Sequence, residues 1–476
     1  MPEESFGHET FLSPFTWRYG SKEMRQLFSE KNYRAIWRKI WLALAEAQQQ
    51  YNLLTREELQ NIKKYSTNSY VDLKRAHQIE KEIGHDLMAE LKTFAEQAKV
   101  GGGKLHLGAT SADIEDNADI IRMKSALTMI RARIIDVLAE LARKIEQNNS
   151  TVCMGWTHLQ PAEPTTLGYR FAAYAQDLLL DLKTLDFINE NIVKGKGMKG
   201  AVGTSAGYVS LLKSSKAAEN LEDVVMAKLG IEAYSISGQT YPRKIDLIVL
   251  SLLTSIAQSV HKFCLDVRIL QSPQFGELSE PFGTKQVGSS VMPFKRNPVS
   301  AERACSLARY VSSLPNTAFT NAASSIFERT LDDSASRRII IPEAFLAIDE
   351  CLTQYSKIVA GLEIFYFKIE ANLETYSSFA SIEPLMMQAA KKGADRQKMH
   401  EKFRTISIEA WKTIQRGKKN PLIEMIKKDK EVSKYVTPQK IDELMKISGH
   451  VGNAPKRAMA LLKNQIEPIL KSARRK

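Results

Sequence analysis

Residues 113–147 run without a glycine or a proline, and apolar side chains recur along them at three- and four-residue spacing. Residues 246–272, DLIVLSLLTSIAQSVHKFCLDVRILQS, are built alike: Leu250, Leu253, Ala257, Val260, Cys264 and Val267 follow at spacings of 3, 4, 3, 4 and 3. That is the seam of a helix packed lengthwise against near-antiparallel neighbours. Asp246 supplies a start signal and Pro273 a stop. Residues 169–194, with DLLLDLKTLDFI at their centre, form a third such stretch. Spans of this length far exceed the globular mean of about 11–12 residues, and strand-type alternation is nearly absent. An all-α fold around a bundle of long helices is predicted.

The interruptions are rich in Gly, Pro, Ser and Thr: KVGGGKLHLGATSAD at 99–113, MGWTHLQPAEPTT at 154–166, KGKGMKGAVGTSAG at 194–207 and SPQFGELSEPFGTKQVGSSVMPFKRNP at 272–298. The last is too long for a bundle connection, which marks it as functional or mobile. Boundaries near 111 and 364 give an N-terminal helical domain (1–111), a central long-helix domain (112–364) and a C-terminal helical domain (365–476). No internal repeat or low-complexity block is visible, and the closing KSARRK reads as a solvated tail.

Lys and Arg number 67 against 54 Asp and Glu, a formal charge of +13. Such a balance permits nucleic-acid or membrane-surface binding and suits equally a site that gathers a polyanionic small molecule. The basic residues are spread along the chain, and aromatics do not interleave with them as stacking platforms would. Cys153, Cys264, Cys305 and Cys351 are too scattered for a disulfide scaffold or a zinc module. The start, MPEESFGHETFLSPF, lacks the basic flank and apolar core of a signal peptide. The longest uncharged apolar stretch, Leu247 to Val260, has 14 residues, short of the roughly 18 that suggest a membrane span. A soluble, cytoplasmic chain is expected.

Four segments carry residues suited to chemistry. In GSSVMPFKRNP, Gly288 frees the backbone to bend, Ser289 and Ser290 offer hydroxyls, and Lys295, Arg296 and the following Arg303 concentrate positive charge. The loop is neither a GxSxG elbow nor an SxxK motif, since Lys295 lies six residues after Ser289. A solvated basic loop before a helix would read the same way. THLQPAEPTT puts His158 in a turn-rich segment opening a long helix, where it can transfer protons near neutral pH or simply satisfy the helix start. His85 and Asp86 make a possible oriented imidazole. Thr110 and Ser111, in LHLGATS, stand at an expected helix N-terminus, which favours an anion. FERTLDDSASRR gathers Arg329, Ser334, Arg337 and Arg338, forks that suit phosphate or carboxylate, or a surface ion-pair cluster with Asp332 and Asp333.

Together these segments resemble the fumarase/aspartase superfamily, whose members cleave C–N or C–O bonds and release fumarate. Its signature GSSxMPxKxNP stands unbroken at 288–298. Within it the chain is similar to the adenylosuccinate lyase family through SPFTWRYGSKEM, KLHLGATS, THLQPAEPTT, ISGQTYPRK, MPFKRNPVSAERACSLAR and FERTLDDSASRR, in order across residues 13–340. The C-terminal third carries little to match beyond its helical character.

The resemblance implies a three-domain subunit in a homotetramer, with each active site formed by loops of three subunits. It implies Ser289 as general base, His158 as general acid and Glu302 as the partner of that acid. Lys295 and Asn297 would hold the fumarate half. Ser290, Thr110, Ser111 and Gln239 would donate to a developing dianion, and further substrate contacts fall on Arg18, Tyr19, His85, Asp86 and Arg303. Arg329, Ser334 and Arg338 would clamp the phosphate of a succinylated purine nucleotide or of its imidazole precursor. No metal, flavin or nicotinamide is called for, and no nucleic-acid or membrane partner. One departure is Gly84, where many relatives carry arginine or another polar residue before the His-Asp pair; a side-chain contact is lost there. Argininosuccinate lyase is the same-class alternative, although that family typically has MPQKKNP where this chain has MPFKRNP. A helical nucleic-acid-binding scaffold is the alternative of a different class.

Overall fold

The computed structural model describes residues 7–445 and 451–473. Residues 1–6, which open the acidic start, and 474–476, the end of the basic tail, lie outside the described residues. The three long stretches are the helices Ser111–Gln147, Leu167–Phe187 and Lys244–Leu270, and Val299–Ala323 and Asp333–Gly361 join them. All six seam residues between 250 and 267 are buried, none more than 1% exposed. Lys244–Leu270 is long and apolar enough to cross a membrane by length and composition alone, a test that a buried core helix also passes. Asp246 does not cap it. The helix begins two residues earlier, and the Asp246 carboxylate accepts the Tyr241 hydroxyl at 2.6 Å. The second stretch stops as an α-helix at Phe187 and continues as a short π-helix, Ile188–Ile192.

Strand is scarce but not trivial. Val152–Thr157 and Gln160–Thr166 form an antiparallel hairpin, and a short ladder pairs Leu278–Ser279 with Glu363–Ile364. The hairpin was not foreseen, because QPAEPTT carries two prolines and the connection has no Asn-Gly or Asp-Gly signal. In a two-stranded ribbon every strand is an edge, which is where proline is tolerated. The register runs from Val152 opposite Thr166 to Thr157 opposite Gln160, slipping between Met154 and Trp156. His158 and Leu159 make the two-residue tip with φ of 56° and 57°, the left-handed pair that a type I′ turn demands. His158 thus sits on a hairpin tip, one strand before the helix it was expected to open.

The chain clusters into two compact units. One comprises Met1–Ile134, Asp181–Val260 and Cys305–Thr353; the other comprises Ile135–Leu180, His261–Ala304 and Gln354–Lys476. The first is cored by side chains such as Trp37, Trp41, Ile120 and Leu127. The second includes the hairpin, the 281–298 loop and a C-terminal helical cluster around Leu385, Phe403, Leu422 and Ile441.

Candidate functional site

In the first unit a cavity of about 220 Å³ is lined by Arg329, Ser334 and Arg338, together with Tyr33 and Glu115. The three expected phosphate ligands therefore share one cavity. Arg337 also lines it, but its guanidinium is already held, donating to Asp246 at 2.7 Å and to Asp119 at 3.0 Å. Arg243 is held likewise by Asp333 at 2.6 Å and Asp116 at 3.1 Å. These ion pairs are buried and fix the cavity's floor; they are not the surface cluster that the sequence left open. Burial opposes ionisation of Asp119, yet Arg122 and Arg337 beside it hold its carboxyl at about 2. Glu115 has only the charge of Arg338 in its favour. Burial, with Asp86, Asp116 and Asp119 nearby, pushes its carboxyl up to about 8.

Four expected site residues meet beside this cavity. Arg338 donates to Asp86 at 2.6 Å, the Asp86 carboxylate lies 3.6 Å from the His85 ring, and His85 Nε2 lies 3.4 Å from the Ser111 hydroxyl. Burial would raise the Asp86 carboxyl, but the bond and charge of Arg338 and the Leu87 amide hold it below its ordinary value. Gly84 ends the helix Leu73–Ile83 with φ +68°, and open space surrounds its missing Cβ. The glycine thus serves as a left-handed C-cap, a conformation that costs any side-chain-bearing residue.

The helix N-terminus at Thr110 and Ser111 is anchored by a residue the motif reading passed over. Buried Asp113 accepts the Thr110 amide at 3.0 Å, the Gly200 amide at 3.1 Å and the Tyr208 hydroxyl at 3.2 Å, and it pairs with the Lys196 ammonium. It thereby ties the glycine-rich 194–207 segment to the Thr110 turn. Its only sequence signal is an acid in the first turn of a helix, which also reads as an ordinary dipole partner. The Gln239 backbone N–H donates to the Glu328 carbonyl at 3.0 Å, which sets the residue beside the Arg329 segment. Arg18 is exposed and lies over the rings of Trp17 and Tyr19, 5.6 and 5.9 Å from their centroids.

In the second unit, Ser289 is half-buried, and its hydroxyl oxygen accepts backbone amides from Val291 at 3.3 Å and Met292 at 3.0 Å. The Asn297 amide donates to the Gly288 carbonyl at 3.0 Å, closing the turn, and a Cβ on Gly288 would run into the Lys295 carbonyl. Ser290 and Lys295 are exposed, as is Glu302 in the first turn of Val299–Ala323; Arg303 is half-buried. The neck of the loop is tied by residues the sequence reading missed. Buried Glu280 accepts the Ser300 and Ala301 amides at 3.0 and 2.9 Å, and Gln271 bridges the Glu280 amide and the Arg296 carbonyl, each at 3.0 Å. Among the described residues Glu302 and His158 share no hydrogen bond or ion pair.

The chain is similar to known proteins over nearly its whole length. A family model described as Lyase matches residues 18–312, and one described as Adenylosuccinate lyase C-terminus matches residues 380–459. The adenylosuccinate lyase of Schistosoma mansoni is 38% identical, covering 98% of this chain and 96% of its own length. That of Saccharomyces cerevisiae is 37% identical over 97% of this chain and 96% of its own. That of Pyrococcus horikoshii is 36% identical over 98% and 99%. Among solved structures, a fumarate lyase from Mesorhizobium sp. BNC1 aligns with a TM-score of 0.82 at 22% identity, covering 96% of this chain and all of that one. This last likeness speaks to the fold alone.

Proposed function

Because the chain belongs to the adenylosuccinate lyase family, we propose that it is a carbon–nitrogen lyase that eliminates fumarate from adenylosuccinate to give AMP. In the same role it converts the succinylated aminoimidazole carboxamide ribotide (SAICAR) to AICAR in purine nucleotide biosynthesis. The hydrogen to be removed lies beside a carboxylate and is barely acidic, so its removal requires stabilisation of a dianion as that charge develops. Ser289 takes this proton, the C–N bond breaks as the C=C bond of fumarate forms, and His158 delivers a proton to the departing nitrogen. A serine is a useful base only where its alkoxide is stabilised. One observation carries this reading: two backbone amides already point at the Ser289 oxygen, at 3.0 and 3.3 Å.

Lys295, Ser290, Thr110, Ser111 and Gln239 donate to the developing dianion. Asn297 keeps the signature turn closed, and Glu302 orients His158. Arg329, Ser334 and Arg338 take the phosphate, a role supported by their shared cavity. Arg18, Tyr19, His85, Asp86 and Arg303 complete the substrate contacts. The enzyme is a homotetramer with sites shared between subunits, a reading favoured by the missing bond between Glu302 and His158 within one subunit. It works in the cytoplasm, on small molecules alone. Its three domains divide near 111, where the helix Ser111–Gln147 begins, and near 364, just after Asp333–Gly361 ends. The test is to incubate the purified protein with adenylosuccinate and follow fumarate and AMP. Cleavage of argininosuccinate with adenylosuccinate untouched would overturn the assignment.

A further inference from the structure

Glu277 is completely buried, and its carboxylate collects donors from three separate elements. The Arg170 guanidinium reaches it at 3.0 Å from the helix Leu167–Phe187, and the Asn372 amide at 2.9 Å from Tyr366–Ala380. The third donor is the Trp156 indole N–H, at 3.3 Å from the hairpin. Its backbone is held too: its amide donates to the Leu270 carbonyl at 2.9 Å, and its carbonyl accepts the Phe365 amide at 3.0 Å. Arg170 also donates to the Met154 carbonyl at 2.6 Å, so the first hairpin strand is gripped at both Met154 and Trp156. The Trp156 ring stands edge-on to Phe275 and Tyr376, with centroids 4.9 and 5.7 Å away.

Trp156 is two residues from His158. An isolated two-stranded hairpin is marginal in water, and a tip with two left-handed residues bearing side chains persists only where its surroundings hold it. A buried carboxylate is likewise costly unless its partners are fixed. The two requirements meet in this network.

We propose that Glu277 is a positioning residue for the elimination: through Trp156 and Arg170 it fixes the hairpin that presents His158. This rests on the reading of His158 as the acid. The role calls for a loss in kcat with little change in KM, because Glu277 touches no substrate. It also calls for that loss to vanish when His158 is gone.

The test is steady-state kinetics of the intact enzyme carrying Glu277→Gln or Trp156→Phe, each in the wild-type and the His158→Gln background, with folding checked by thermal unfolding. Glutamine turns a donor toward Arg170. Phenylalanine removes the indole N–H and trims the bicyclic ring, but keeps an aromatic ring between Phe275 and Tyr376. Glu277→Gln should lower kcat by about 10- to 100-fold, the scale of a misplaced catalytic group. Trp156→Phe should lower it less, with KM within about twofold in both. Neither should slow the His158→Gln enzyme further. The proposal is overturned if folded Trp156→Phe keeps the wild-type kcat, or if the losses multiply with that of His158→Gln. Should Glu277→Gln fail to fold, Trp156→Phe decides alone. An inactive His158→Gln with a normal Trp156→Phe overturns this proposal only, whereas His158→Gln at the wild-type rate overturns the reading beneath it as well.

Discussion

Replacing Glu115 with glutamine should stabilise the protein in alkali and leave it unchanged in acid. Its carboxyl, ordinarily near 4.5, is pushed up to about 8 by burial and by Asp86, Asp116 and Asp119, with Arg338 opposing them. The folded chain therefore keeps this proton through neutrality while the unfolded chain loses it. The stability that the proton confers is complete below about 4.5 and is lost as pH rises through about 8. At about 1.36 kcal/mol per pH unit the whole interval would amount to roughly 5 kcal/mol. The residue is only partly buried and faces a cavity, so solvent screening cuts the effect to about 1–3 kcal/mol. Thermal unfolding of the ligand-free wild type and Glu115→Gln, from about pH 5 to pH 9, reads the difference directly. The midpoints should coincide at the acid end and separate by a few degrees in favour of glutamine at the alkaline end. An offset that does not change with pH, or no offset at all, would refute the assignment of a raised carboxyl to Glu115.

Three further outcomes are expected. Ser289→Ala should abolish turnover while substrate still binds and the helical far-UV signal is unchanged; an alanine variant retaining more than about a few per cent of the rate would move the base to Ser290. Arg329→Met should weaken competitive inhibition by AMP by about 10- to 100-fold, the worth of one charge-assisted bond, and an unchanged inhibition constant would take the phosphate out of this cavity. Tagged Ser289→Ala and His158→Gln proteins, dissociated and reassociated together, should regain up to about a quarter of wild-type activity if the enzyme is the proposed tetramer and the two residues come from different chains. Verified subunit exchange without recovery would show that each site is built within one chain.

The long helices were legible because their information is local and periodic. Leu250 through Val267 keep one face for the whole length of a helix, and that face is the one the protein buries. The hairpin was illegible for the opposite reason. Pro161 and Pro164 speak against a strand, and His158–Leu159 carries neither the Gly nor the Asn or Asp that marks a two-residue hairpin turn. What holds this hairpin includes Glu277 and Arg170, one of them more than 110 residues away in sequence. The signature loop was legible as a motif, but the ties at its neck, Glu280 and Gln271, look in sequence like any other acid and amide.

The cavity lined by Arg329, Ser334 and Arg338 shows the same limit at the scale of two neighbouring residues. Arg337 and Arg338 are identical in type and adjacent in FERTLDDSASRR, so composition and motif give them equal standing. Successive residues on a helix point about 100° apart, however, and this rotation separates their fates. Arg337 faces Asp246, Asp119 and the Tyr241 hydroxyl and is buried. Arg338 faces Asp86 at the cavity with 58% of its side chain exposed. Much of the chain's arginine has gone the way of Arg337: Arg34 and Arg38 pair with buried Glu90, Arg170 with Glu277, and Arg243 with Asp116 and Asp333. A guanidinium committed in this way has little left to offer a substrate anion. The cations still able to turn toward one are those at exposed positions such as Arg18, Lys295 and Arg338. Which arginines remain able to meet an anion is therefore decided by where the buried carboxylates lie, and nothing in the charge balance of the sequence states that.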